Sequence, residues 1–121
     1  MSKRNHDKNN FGGFLYELRK ESGMGFEEFR QSLGVSKAYL NDVETGACRP
    51  PTPEVQFKML KILQLKREMS ESTRRQFFDL AARQRNELPA DVMRYLIESG
   101  GALDSVRETE NYKLYCKNEG L

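Results

Sequence analysis

The chain has 121 residues, enough for one domain with an adequate core and little more. Charged residues make up 31% and hydrophobic residues 37%, proportions that suit a helical protein. No apolar run is long enough to cross a bilayer, so we expect a cytoplasmic protein without membrane contact. The formal net charge is +2, with eleven Lys and Arg against eight Asp and Glu in residues 1–66 and nine against ten in residues 67–121.

Residues 1–10 are polar and Asn-rich, which predicts a flexible arm, either solvated or reaching a groove beside the main binding surface. The next stretch has apolar residues at positions i, i+3, i+4 and i+7, the pattern of one helical face. These residues are Phe11, Phe14, Leu15 and Leu18. The pattern predicts a first helix that runs to about Ser22 and is ended by Gly23.

Residues 24–46 predict two short helices joined by one sharp turn. Phe29 and Leu33 form an apolar i, i+4 pair on the first of these helices. Leu40 and Val43 form an i, i+3 pair on the second. Each helix therefore has one face to bury.

The turn between these two helices has the residues that such a connection needs. Gly34 can adopt the positive φ that ends one helix, and Ser36 can cap the N-terminus of the next. A turn this short makes the helices cross steeply and leaves the second, about residues 37–45, with one free face. This is the helix-turn-helix geometry, in which the second helix enters the DNA major groove.

Helices are also predicted after this motif. Thr52 as N-cap and Pro53 at the first position begin one that ends near Leu65. Ser70 caps another that runs to about residue 87, and Pro89 begins a third that ends before residue 100. The apolar stripes of the three are Val55, Met59, Ile62 and Leu63; Phe77, Leu80, Ala81 and Gln84; and Val92, Tyr95 and Leu96.

The predicted fold is all-α, a compact bundle of about five to seven short helices. We expect an N-terminal arm at residues 1–10, a DNA-binding domain at 11–66, a helical annex at 67–104, and a tail at 105–121 that is either helical or disordered.

The motif resembles the lambda-repressor-like, Cro/XRE class of DNA-binding domains, in which a pattern close to L-T-Q-E-E-L-A-x-x-L-G-V-S-x-x-Y-[IL]-x-x-[IV]-E-x-G is typical. The positions that fit without a gap are Glu27, Glu28, Phe29, Leu33, Gly34, Val35, Ser36, Tyr39, Leu40, Val43, Glu44 and Gly46. The resemblance covers about residues 11–65. Phe26 replaces the usual polar residue, often Gln, that touches a phosphate, and Arg30 replaces the usual small Ala.

The resemblance implies base contacts from the first turns of the second motif helix, at Lys37, Ala38, Asn41 and Asp42. Backbone contacts are implied at Ser36, Tyr39, Arg49, Phe26 and Arg30. The alternatives are that Tyr39 packs and that Arg30 bends out to solvent along its methylene stem. Lys37 suits guanine, Asn41 suits adenine, Asp42 suits cytosine and Ala38 suits a thymine methyl. Arg19 and Glu44 occupy positions where the family commonly forms an orienting salt bridge, with two solvated charges as the alternative.

The resulting hypothesis is a sequence-specific transcriptional regulator, most simply a phage-type or mobile-element-type repressor, that binds double-stranded operator DNA as a homodimer. The alternative is a partner-binding module, such as an antitoxin or a repressor controlled by another protein, with the annex as the interaction surface; exposed apolar patches there would favour it. A motif that no longer binds DNA is a further alternative, because Phe26, Arg30 and the small charge excess depart from the usual pattern.

No catalytic set, glycine-rich phosphate loop or metal-ligand spacing occurs in the sequence, so we expect no enzyme, no metal and no cofactor. Cys48 and Cys116 lie far apart in the sequence. We expect two reduced thiols, with a thiol switch at Cys48 as the alternative.

Overall fold

The computed structural model describes residues 7–121, and this part of the chain contains eight α-helices and no strand. The all-α prediction is therefore confirmed, with one helix more than the upper number expected. The helices are α1 (Phe11–Glu21), α2 (Phe26–Leu33), α3 (Lys37–Thr45), α4 (Pro53–Lys66), α5 (Glu71–Arg85), α6 (Ala90–Glu98), α7 (Ala102–Arg107) and α8 (Glu110–Asn118). None of the helices described is both long and apolar enough to cross a membrane.

The chain divides into two units, with the boundary after Ala90. In the first unit α1 packs against both α3 and α5, and α2 packs against both α3 and α4. Aromatic rings join α1 to α5, because the ring centroids of Phe11 and Phe77 lie 4.9 Å apart and those of Phe77 and Phe78 lie 5.5 Å apart. Helix α5, which falls in the predicted annex, thus supplies part of the core of the first unit.

The predicted apolar stripes of α4 and α5 are mostly buried. Met59 and Leu63 are fully buried on α4, as are Phe77 and Ala81 on α5. The prediction was wrong for Gln84 of the α5 stripe, because this residue is exposed. Its Oε1 instead accepts a hydrogen bond from the Phe11 N–H at 2.6 Å. A side chain from α5 thereby satisfies one of the free donors at the start of α1.

Helix starts follow the predicted chemistry, with one exception. Ser70 Oγ accepts a hydrogen bond from the Thr73 N–H at 3.1 Å and so caps α5. Thr52 occupies the N-cap position of α4, but its side chain makes no capping hydrogen bond. Pro53 at the first position supplies the start signal there, since its fixed φ suits a helix and its missing N–H would have had no partner.

Residues 1–6 of the predicted arm lie outside the described residues. Residues 7–10 form a turn in which the Asn10 N–H donates to the Asp7 carbonyl at 3.1 Å. Asn10 Oδ1 then accepts from the Gly13 N–H at 3.0 Å and caps α1. Gly13 permits this return of the chain, because a Cβ there would overlap the backbone of Asp7.

The second unit, Asp91–Leu121, contains nearly all of α6 together with α7 and α8. Helices α7 and α8 pack against each other. All of this range is described, and no residue in it is buried. The residues at 105–121, predicted to be helical or disordered, include the helix α8.

Candidate nucleic-acid interface

The turn between α2 and α3 fixes where α3 begins. Gly34 has φ +74° and its N–H donates to the Arg30 carbonyl at 2.9 Å, which closes α2. Ser36 Oγ accepts a hydrogen bond from the Tyr39 N–H at 3.0 Å and so caps α3. The Ser36 hydroxyl therefore stands at the exposed start of the helix, where it can also reach a phosphate.

Helix α3 has one buried and one exposed face. Leu40 and Val43 are almost completely buried. Lys37, Ala38 and Asp42 are exposed on the other side. Three of the four residues expected to contact bases are thus accessible on the first two turns of one helix.

A buried ion pair joins α3 to α1. Arg19 Nε lies 2.7 Å from Glu44 Oε2 and Arg19 Nη2 lies 3.0 Å from Glu44 Oε1, a bidentate arrangement. Arg19 is 7% exposed and Glu44 is fully buried, and Arg19 Nη1 also donates to the Met24 carbonyl at 3.1 Å. The pair fixes the C-terminal end of α3 relative to α1, because the planar guanidinium fork allows little rotation.

Two aromatic rings lie against this ion pair. The Arg19 Cζ atom is 5.5 Å from the Tyr16 ring centroid and 5.6 Å from the Phe26 ring centroid. Both distances lie in the range of cation–π attraction. Phe26, considered in the sequence as a phosphate-contact position, has no hydrogen-bond donor in its side chain, and the structure instead packs its ring against Arg19.

Arg30 has partners within the protein. Its Nη1 donates to the Val35 carbonyl at 2.9 Å, and its Nε and Nη2 bond to the Glu27 carboxylate at 2.7–3.2 Å. The hydrogen bond from Arg30 lowers the pKa of Glu27 below its ordinary value. Instead of extending into solvent, Arg30 ties the turn before α3 to the first turn of α2.

Helix α1 approaches α3 at a glycine. Gly12 is buried, and a Cβ at this position would overlap the carbonyl oxygen of Val43 and lie 3.1 Å from the carbonyl oxygen of Glu44. Sequence reasoning missed this residue. The available signal was a glycine pair inside a helical pattern, which often marks close backbone approach.

A groove of about 920 Å³ borders the exposed start of α3. Its lining includes Lys37, Ala38 and Asn41 of α3 together with Lys20 and Tyr16 of α1. Three of the expected base-contact residues thus share one groove with the cation Lys20, which sequence reasoning did not single out.

Asn41 is part-buried, and its Oδ1 atom is buried without a hydrogen-bond partner in the described residues. An unpaired buried oxygen costs about 1–3 kcal/mol. The Asn41 side chain carries one acceptor and one donor group, which is the combination that pairs with the donor and acceptor of adenine.

The remaining expected contacts are Tyr39, in the first turn of α3, and Arg49, on the loop that follows the helix. Tyr39 is part-buried and packs against the core, and burial raises the pKa of its phenol. Arg49 is exposed on the loop before α4, with Nη2 3.5 Å from the Arg85 carbonyl. Burial, and next the charge of Asp42, raise the pKa of the Cys48 thiol, which favours the unreactive protonated form.

The described residues contain no group of three or more His, Cys, Asp or Glu side chains that could hold a metal ion.

A capped helix with one exposed polar face, set across a short turn and fixed by a buried ion pair, defines a helix-turn-helix DNA-binding fold. Comparison with protein families agrees: residues 10–72 match the family model described as a helix-turn-helix domain. The chain belongs to this family of DNA-binding domains, of the Cro/XRE-like type. No curated protein and no solved structure is significantly similar to the chain.

Proposed function

We propose that the protein is a sequence-specific DNA-binding transcriptional regulator in which α3 enters the major groove. The observation that carries this proposal is the exposure of Lys37, Ala38 and Asp42 on a helix that the buried Arg19–Glu44 pair holds in one orientation. Base readout needs such preorganisation, because hydrogen bonds to base edges require side chains in fixed positions.

Base contacts and phosphate contacts are assigned to different residues. Lys37 donates to guanine, Asn41 pairs with adenine, Asp42 accepts from cytosine and Ala38 meets a thymine methyl. Ser36, Tyr39 and Arg49 contact the DNA backbone. Arg49 suits this role because it is exposed and its charge carries no base preference.

The regulator is proposed to act as a homodimer on a palindromic operator. A formal net charge of +2 gives weak non-specific attraction to phosphates. Two copies, with their recognition helices in successive major grooves about 34 Å apart, double the number of contacts. Repression then follows from occupying a promoter.

The test is selection of sheared genomic DNA by the purified protein at near-physiological salt. The Lys37→Ala/Asn41→Ala double variant is run in parallel, together with Lys113→Ala/Asn111→Ala, which makes the same changes at exposed positions of α8. Circular dichroism checks that all three proteins fold alike. We expect the wild type and the α8 variant to enrich one palindromic site that the α3 variant does not enrich.

Two outcomes would overturn the proposal. One is the absence of an enriched sequence for a folded wild-type protein. The other is equal enrichment by the wild type and by the α3 variant, which would show that α3 does not read bases.

Binding of two single variants to the selected site distinguishes base contacts from phosphate contacts. Asn41→Ala should weaken binding by about 1–3 kcal/mol and relax preference at one base position. Arg49→Ala should weaken binding to all sequences alike and reduce the salt dependence by about one phosphate contact. If both variants lost the same affinity with the same sequence and salt dependence, the assignment of Asn41 to bases and Arg49 to phosphates would be wrong.

A second candidate function is a module that binds another protein, such as an antitoxin or a repressor under protein control. The observation that favours it is the exposure of large apolar side chains in the second unit, including Tyr95 at 63% and Ile97 at 73%. Exposed apolar surface of this kind often marks an interaction site. This role is compatible with DNA binding by the first unit.

A further inference from the structure

The C-terminal turn of α5 contacts the loop that follows α3. Arg85, the last residue of α5, donates from Nη1 to the Pro50 carbonyl at 3.1 Å. The Arg85 carbonyl in turn lies 3.5 Å from Nη2 of Arg49, the loop residue assigned to a phosphate. Arg85 lies outside residues 10–72, the range matched by the family model. A residue beyond the matched domain therefore contacts the loop that borders α3.

A left-handed residue at the end of α5 brings an acidic side chain back onto Arg85. Asn86 has φ +57° and closes the helix, and the Glu87 N–H donates to the Ala82 carbonyl at 3.0 Å. Asparagine is one of the few residue types that adopt this conformation readily. The Glu87 carboxylate then accepts from Arg85 Nε at 2.9 Å and from Arg85 Nη2 at 3.0 Å.

The hydrogen bonds of Arg85 suit it to holding the loop in place. All three of its side-chain nitrogens have partners inside the protein, and its side chain is only 16% exposed. A planar guanidinium with donors on two edges fixes a carboxylate and a carbonyl at once, which a flexible ammonium cannot do. Since Pro50 is buried, the backbone next to Arg49 is fixed relative to α5.

Arg85 also occupies the carboxylate that would otherwise attract Arg49. The hydrogen bond from Arg85 lowers the pKa of Glu87, and the charge of Arg49 makes a smaller contribution in the same direction. Arg49 therefore lies close enough to interact with this carboxylate. Without Arg85, the Glu87 carboxylate would be free to pair with Arg49, whose guanidinium would then be less available to a phosphate.

We propose that Arg85 is a positioning residue for DNA binding, which holds the loop after α3 so that the Arg49 guanidinium can reach a phosphate. The inference rests on the proposed function, because it explains how the role assigned to Arg49 is maintained. Phosphate contacts fix the orientation of a protein on the duplex without reading sequence. Displacement of Arg49 would therefore weaken binding to all sequences alike. The DNA-binding surface then depends on α5, beyond the boundary predicted at residue 66.

The test follows binding of the full chain to the selected DNA site by fluorescence anisotropy, at salt concentrations between about 50 and 200 mM. Arg85→Ala removes the guanidinium, and Arg85→Lys keeps the positive charge without the donors on two edges. Arg83→Ala is the matched control, because it removes the same charge from an exposed residue in the same last turn of α5. Arg49→Ala is measured alone and combined with Arg85→Ala, and circular dichroism checks the folding of every protein.

Arg85→Ala should lose one phosphate contact for each bound copy. Over this salt range its affinity should then fall about 3.5-fold less, per copy, than the affinity of the wild type. Arg85→Lys should behave as Arg85→Ala does, and Arg83→Ala should behave as the wild type does. Arg49→Ala should add less than about a 2-fold loss of affinity in the Arg85→Ala background, because residues that act through one contact are not additive.

Three results would overturn the proposal. The first is an unchanged salt dependence in Arg85→Ala, as expected for a variant that is only less stable. The second is an unchanged salt dependence in Arg85→Lys alone, which would show that Arg85 acts through its charge, as a direct phosphate contact does. The third is independent losses from Arg85→Ala and Arg49→Ala, which would show two separate contacts.

Amide hydrogen exchange tests the positioning of the loop without DNA. The Cys48 N–H donates to the Asp42 carbonyl at 3.2 Å, and the Gly34 N–H, in the turn before α3, serves as an internal reference. Arg85→Ala should speed exchange at Cys48 by about 10-fold or more relative to Gly34, because the loop opens locally. The control variant on α5 should leave this ratio unchanged.

The two measurements distinguish failure of this inference from failure of the proposed function. Faster exchange at Cys48 in a chain that selects no DNA site would contradict the function and the phosphate role of Arg49, while the attachment of the loop to Arg85 would stand. Unchanged exchange at Cys48 in a chain that binds its selected site would contradict the positioning role of Arg85 and leave the function in place.

Discussion

The two units of the chain differ in the burial of their apolar side chains. The first unit buries rings from α1, α2 and α5, with Phe11, Phe29 and Phe77 at most 1% exposed. The second unit buries no residue between Asp91 and Leu121, all of which is described. The first unit thus carries its own core, which holds α3 in place, whereas the second unit leaves large apolar side chains such as Tyr95 and Ile97 exposed.

Truncating an aromatic residue in each unit tests this comparison with the largest expected effect. Phe77→Ala should lower the free energy of unfolding by about 3–5 kcal/mol, because it leaves a cavity between α1 and α5. Tyr115→Ala, at a residue that is 57% exposed, should change the free energy of unfolding by less than about 0.5 kcal/mol. Urea unfolding followed by circular dichroism, at a concentration where the chain is monomeric, measures both. Similar losses would show that the second unit has a core of its own.

Removing one charge from an ion pair in each unit gives the next largest difference. Glu44→Gln should cost about 3 kcal/mol of stability, because it leaves the buried Arg19 guanidinium without its counter-charge. The matched change is Glu108→Gln, whose partner Lys113 lies 3.9 Å away on the exposed surface and whose loss should have no measurable effect.

DNA binding should follow the same order. Glu44→Gln releases the end of α3, so its affinity for the selected site should fall even where the protein is still folded. Glu108→Gln should bind as the wild type does. Equal affinity of the two folded variants for the selected site would contradict the conclusion that the Arg19–Glu44 pair orients α3.

Replacing a glycine by alanine should affect the stability of the chain differently in the two units, because only the first unit has a glycine at a close backbone contact. Gly12→Ala should destabilise the chain by about 1–3 kcal/mol, because the new Cβ meets the Val43 carbonyl and must push α1 away from α3. Gly100→Ala should be neutral or slightly stabilising, because its Cβ would have no atom within 4 Å and its φ is not positive. Thermal unfolding of both variants checks the contrast, and a neutral Gly12→Ala would mean that the α1–α3 approach adjusts freely.

The local chemistry of the first unit could be predicted from the sequence. The Gly34 turn, the Ser36 and Ser70 caps and the apolar stripe of α1 depend on residues close in sequence, so their patterns identify them directly. Contacts between segments that are distant in the sequence could not be predicted. The approach of Gly12 to Val43 and the packing of Phe26 on Arg19 depend on tertiary contacts that no local pattern contains.

In the second unit, the sequence predicted the apolar face of a helix but not whether that face is buried. The sequence predicts α6 with Val92, Tyr95 and Leu96 on one face, and the helix forms at Ala90–Glu98. Periodicity identifies an apolar face but does not say what covers it. Val92 and Tyr95 are exposed, whereas the equally periodic Phe77 and Ala81 of α5 are buried against the first unit, so similar patterns have different outcomes in the two units.

The aromatic cover of Arg19 provides a smaller effect. Phe26→Gln restores the residue type usual in the resembled family and removes one ring from the guanidinium. It should cost about 1 kcal/mol of stability through the lost cation–π contact. It should also strengthen DNA binding for all sequences alike, since the amide can donate to a phosphate, and it should leave the salt dependence unchanged because the amide is uncharged. A control, Tyr115→Gln in the second unit, should change neither quantity; a more stable Phe26→Gln variant would contradict the role assigned to the ring.

The smallest effect is expected from the exposed pair of Glu27 and Arg30. The hydrogen bond from Arg30 lowers the pKa of Glu27 in the folded chain, so the unfolded chain binds this proton more readily as the pH falls. The pair therefore contributes stability above the ordinary carboxyl pKa and loses it as the pH falls through the lowered value. Glu27→Gln should move the urea midpoint slightly down at pH 7 and leave it unchanged at a pH below both values. Because the carboxylate is solvent-exposed, salt should reduce the difference at pH 7. A difference that grows toward low pH would have the wrong sign for this pair and would place the stabilising role of Arg30 in its hydrogen bond to the Val35 carbonyl alone.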